Sequence, residues 1–78
     1  MNRETIEKIG SRMATMGSIV NSSHRNSPEL NKFDHEFNGM VMLLKAVGVR
    51  VVINREFYNV NQIESFELDD VRFLCEGF

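Results

Sequence analysis

The chain has 78 residues, 42% of them hydrophobic and 26% charged, and carries a formal net charge of −2 with a pI near 5.6. That length admits one domain, residues 1–78, which buries only about 60–65% of the surface its unfolded chain exposes, so a partner chain would add useful burial. The composition excludes disorder and a coiled-coil rod, and the acidic balance disfavours nucleic-acid binding through a general basic field.

From Arg3 to Val20, apolar residues fall at Ile6, Ile9, Met13, Met16 and Val20 in alternating steps of three and four. This is the stripe of an amphipathic helix, predicted over residues 3–20. Glu4 and Lys8 stand four apart on the opposite side, in the favourable order for a solvated pair. Gly10 and Gly17 are seven apart along one edge of the stripe, beside Ala14. Each glycine costs a helix interior ~1 kcal/mol relative to alanine, so their regular placement predicts that something approaches the backbone closely there, and both are candidate interface residues.

The run Asn21–Ser27 is rich in residues that hydrogen-bond their own backbone and reads as an interhelical connection. Ser27 then supplies an N-cap, Pro28 the first helical position and Glu29 an acid in the first turn, starting a second helix predicted over 28–47. Along it Leu30, Phe33, Phe37, Met40, Leu44 and Val47 form a second stripe, and two such stripes joined by a short loop predict an antiparallel helical hairpin. A further apolar surface, Gly39, Met42, Leu43 and Ala46, occupies the back of the C-terminal half. It needs cover from a sheet or from a second subunit, and is the other half of the candidate protein interface.

At Gly48 the chemistry changes, since a left-handed glycine commonly ends a helix and β-branched residues follow. Val49, Val51 and Ile53 alternate with Arg50, Val52 and Asn54 as a strand from about residue 49. Asn54-Arg55-Glu56 reads as a turn, after which Phe57, Tyr58 and Val60 resume strand chemistry. Beyond Val60 the period is mixed. Asn61 and Glu64 could cap a helical turn or belong to a bulged strand, and strand is favoured over 62–68. The C-terminal element is open between helix (Leu68, Val71, Cys75, Phe78) and strand (Val71, Phe73, Cys75), with Asp69 and Asp70 favouring helix. The fold class expected is therefore α+β, a helical hairpin on a β-hairpin or three-stranded meander.

Charge is uneven along the chain. Residues 1–32 sum to +2, and Arg3, Lys8, Arg12 and Arg25 form a candidate basic patch. Residues 63–78 sum to −4, with Glu64, Glu67, Asp69 and Asp70 as a candidate acidic recognition surface for a basic partner. Arg50, Arg55, Phe57 and Tyr58 bring basic and aromatic residues together as some single-strand binders do, although Phe57 and Tyr58 would point to opposite sides of a strand.

His24, His35 and the one cysteine, Cys75, match no metal-ligand spacing, and Asp34 and Glu36 flank His35 without facing one point. The acidic run lacks the alternate ligands and central glycine of a calcium loop. No nucleophile stands on a strand-to-helix elbow and no glycine-rich turn offers an oxyanion hole, so neither catalysis nor a cofactor is expected. Cys75 in an apolar setting reads as a small hydrophobe. One cysteine allows no intrachain disulfide and suits a reducing compartment. With no secretory pattern at the N-terminus, and with Lys45 and Arg50 interrupting the apolar run, no membrane is expected and a cytoplasmic location is.

The function these features favour is a non-catalytic protein-interaction module, acting as a homodimeric regulator or inhibitor. Its size fits products of phages and other mobile elements. The alternative is a nucleic-acid-binding or transcriptional regulatory protein using the basic patch.

Overall fold

The computed structural model describes residues 1–24, 27–55 and 62–77. Helix α1 spans Arg3–Ser22, helix α2 Pro28–Ala46, and three strands follow: β1 Val51–Arg55, β2 Ile63–Leu68 and β3 Val71–Leu74. The strands form one antiparallel sheet in the order β1-β2-β3, and the helical hairpin covers one face of it. The expected α+β architecture is the observed one.

The helix ends follow from local chemistry. Asn2 caps α1 by accepting from the Thr5 amide at 2.8 Å, and Ser27 caps α2 by accepting from the Leu30 amide at 3.1 Å. At the far end of α2, the Gly48 amide donates to the Lys45 carbonyl and the Val49 amide to the Leu44 carbonyl, with Gly48 at φ +90°. This is the paired bonding of a Schellman ending, and the buried side chains of Leu44 and Val49 close it from the core side. Val49 therefore belongs to the helix ending, and the strand starts two residues later than expected.

Helix α1 runs two residues past Val20 into the expected connection. The serines there do not break it, because Ser18, Ser22 and Ser23 donate back to the carbonyls of Ala14, Ser18 and Ile19. Asn21 is buried and fastens three backbone groups. Its Nδ2 donates to the carbonyls of Ile63 (2.8 Å) and Glu76 (2.9 Å), and its Oδ1 accepts from the Ile63 amide (2.7 Å).

Two expectations for the sheet are corrected. Asn54 and Arg55 do not turn but continue β1, where the Asn54 amide group donates to the Ser65 hydroxyl. The segment after Asp70 is a strand and not a helix. Asp69 adopts φ +53° in the turn between β2 and β3, its amide donates to the Arg50 carbonyl (2.7 Å) and its Oδ1 accepts from the Arg50 amide (3.0 Å). The acids thus shape a hairpin turn, a conformation aspartate tolerates better than most residues, rather than an N-terminal helical turn.

The mixed period of β2 comes from a bulge. Ser65 stands opposite Asn54 but Ile63 stands opposite Arg55, so Glu64 is the extra residue. A bulge shifts the alternation by one, which buries Ile63, Phe66 and Leu68 together although their spacings are three and two. Phe66 is the hub of the core, edge-on to Phe37 (5.4 Å, 83°) and stacked with Phe73 (5.2 Å, 16°). Met13 is buried, with Met16 and Met40 partly buried against the same core, the gap-filling expected of them. Phe57, Tyr58, Val60 and Asn61 lie outside the described residues.

Candidate interaction surface

The two expected halves of the interface separate in the fold. Gly10 is buried against Phe73 of β3 and Gly17 against Cys75, just beyond that strand, in the same chain. The Phe73 ring occupies the space a Cβ on Gly10 would need, and the Cys75 Sγ would sit 2.6 Å from a Cβ on Gly17. The close approach to the α1 backbone is therefore real but internal, and these glycines let α1 settle onto the sheet instead of offering it to another molecule. Cys75, buried there, has its thiol pushed up to about 11 by that burial, which suits a packing role and not a nucleophilic one.

The second half stays open. Gly39 and Ala46 are exposed, and Met42 and Leu43 keep 72% and 58% of their surface in contact with solvent. The sheet does not reach this side of α2, which settles what covers it within the chain: nothing described. Val47, expected in the seam with α1, is 60% exposed instead. It lies beyond the last turn of α2, where the chain is already leaving the helix, and so adds to the open surface. By helical spacing, residues 39, 42, 43 and 46 form one patch, and three large apolar side chains clustered so are more than isolated surface hydrophobes.

A groove of about 460 Å³ runs between the two helices on the side away from the sheet, with Arg12, Met16, Ile19, Phe33 and Glu36 among its lining residues. Met16 and Phe33 belong to the two apolar stripes expected to form the seam. They are only partly buried, because two helices in contact along one line leave a furrow to either side and the sheet fills only one of the two.

The charged candidates are dispersed. Arg3 pairs with Glu7 at 3.1 Å and Lys8 with Glu4 at 3.5 Å, all on the exposed surface of α1, so two of the proposed basic residues have neighbours that cancel their charge. Arg12 lies in the groove, and Arg25 is outside the described residues. On the acidic side, Glu64 is at the bulge, Glu67 stands between Val52 and Arg72 in the sheet, and Asp69 is engaged with the Arg50 backbone, leaving Asp70 exposed in the turn. His24 and His35 are exposed, whereas Cys75 is buried. Among the described residues, no three His, Cys, Asp or Glu side chains converge as a metal site would require. No described helix is long and apolar enough to cross a membrane.

Comparison with protein-family models, with curated proteins and with solved structures finds no match to this chain.

Proposed function

We propose that the protein is a non-catalytic protein-interaction module that works as a homodimer through the exposed end of α2, in a reducing, cytoplasmic setting. The observation that carries this reading is the open patch of Met42, Leu43 and Val47 beside Gly39 and Ala46. Covering large apolar side chains removes them from water at about 25 cal/mol per Å², and a domain this small gains proportionately more from added burial than a large one. A regulator or inhibitor, which acts by occupying a surface, needs no more chemistry than this. The basic-patch alternative draws less support, because Arg3 and Lys8 are each matched by an adjacent glutamate.

Gel filtration with light scattering at micromolar concentration tests the reading. The expected mass is twice the 9.0 kDa of the chain, and Leu43→Glu is expected to return it to the monomer. Its melting temperature as a monomer should match that of the dilute wild type, since exposed substitutions usually change stability by less than ~0.5 kcal/mol. A wild type that stays monomeric at this concentration would refute the homodimer.

A further inference from the structure

Resting on the homodimer reading, we infer that the partner of the interhelical groove is the same groove of a second copy. A two-fold axis would run along it, so that α1 of each chain lies over α2 of the other. The groove does not end at its lining residues. Phe33, Glu36, Met40 and Leu43 follow one another at steps of three and four on α2, as do Thr5, Ile9, Arg12, Met16 and Ile19 on α1, so each row follows one side of its helix. The hairpin is antiparallel, which sets the start of α1 beside the end of α2. The groove therefore continues into the exposed patch through Leu43, and the outer face of the hairpin is apolar at that end, while at the other the Lys32 ammonium stands 5.4 Å over the Phe33 ring.

Charge selects a second copy as the occupant. Near the middle of this face stand one cation, Arg12, and one anion, Glu36, lining the groove from opposite helices. Neither makes an ion pair with another described residue. An isologous interface brings residue i of one chain to residue j of the other and j to i. With the axis along the groove, Arg12 faces Glu36 of the second copy and Glu36 faces its Arg12, forming two equivalent pairs from one patch. The same operation lays the Ile9 end of α1 on the Leu43 end of α2, and Ile19 beside Phe33, apolar on apolar.

The area is of the right order. A 20-residue helix is about 30 Å long, and two helices side by side give a footprint of roughly 600 Å² before surface relief is counted. Standard interfaces bury about 800 Å² per partner. The product is a four-helix layer between two outward-facing sheets.

Charge reversal tests this arrangement. Arg12→Glu and Glu36→Arg, each alone, place like charges at both pairs and are expected to raise the dimer dissociation constant about 100-fold. Mixing the two variants in equal amounts restores association as a heterodimer, since each chain supplies the charge the other lacks. The double variant Arg12→Glu/Glu36→Arg dimerises with itself. Far-UV circular dichroism and melting confirm that each variant is folded, and sedimentation equilibrium reads the association. If both single variants dimerise as the wild type does while Leu43→Glu does not, the groove assignment is overturned and the homodimer reading stands. If the wild type itself is monomeric at tens of micromolar, both fall together.

Discussion

The flank of α1 that carries Gly10 and Gly17 and the back of α2 that carries Gly39 and Ala46 are alike as sequence: two small residues seven apart, close to methionines, on an amphipathic helix. The fold treats them oppositely. The space beside Gly10 and Gly17 is filled by Phe73 of β3 and by Cys75 just beyond it, whereas a Cβ on Gly39 would meet nothing within 4 Å. Small residues on a helix thus report that close approach is possible, not what approaches. Which one is satisfied inside the chain depends on where the sheet lies, and the sheet sits under α1's glycine edge and not behind α2.

Breaking the closed side should cost most. Phe37 is fully buried and edge-on to Phe66, so Phe37→Ala is expected to cost about 3–5 kcal/mol through the cavity it leaves, read from chemical denaturation. Against a total of roughly 5–8 kcal/mol for a domain of this size, the variant will be close to unfolded. An unchanged midpoint would place Phe37 on the surface and remove the seam.

One substitution made on both helices separates the filled flank from the open one. Gly10→Ala drives a methyl group into the Phe73 ring and should destabilise by about 1–3 kcal/mol through overpacking, outweighing the gain in helix propensity. Gly39→Ala adds the same methyl group to open space in a helix interior and should stabilise the monomer by about 0.5–1 kcal/mol. Equal signs for the two would dissolve the distinction between a filled and an open flank.

The smallest effect is a dependence on pH. The Cys75 thiol ionises at the ordinary 9.0 when the chain is unfolded and, held up by burial, at about 11 when folded. The folded chain therefore holds its proton longer, and the stability this contributes is complete below pH 9 and falls as pH rises from 9 to 11. Comparing urea midpoints of the wild type and Cys75→Ala at pH 8 and pH 10.5 isolates it. The wild type should lose more over that interval, and identical losses would show that Cys75 is not held in the apolar setting that Gly17 provides.

Much of the architecture was legible because it rests on local signals. Periodicity marked both helices, Ser27-Pro28 marked the second start, and Gly48 marked its end. What resisted reading was decided by contacts distant in sequence. Asp69 and Asp70 carry the charge of a helix start, but the Arg50 backbone claims Asp69 and makes a turn of it. The bulge at Glu64 is fixed by pairing with β1, so the spacing of β2 alone left strand and helix open. For the surface, Met42 and Leu43 were identifiable as apolar residues in need of cover, with the sheet and a second subunit both open as its source. The groove was not, because it belongs to the space between two helices and to no single stripe.

Asn21 looks like loop filler in the sequence, yet its bonds reach 42 residues ahead to Ile63 and 55 residues ahead to Glu76. During synthesis both helices are made before either partner exists, so α1 and α2 can associate early while the end of α1 waits for the last strand. Contacts of such range form slowly compared with those inside a helical hairpin. Until the clamp closes, the glycine edge of α1 lacks the Phe73 ring and the Cys75 thiol that cover it in the folded chain. Asn21 therefore ties the end of α1 to residues made 42 and 55 positions later, so the helix edge is enclosed only once nearly the whole described chain is in place.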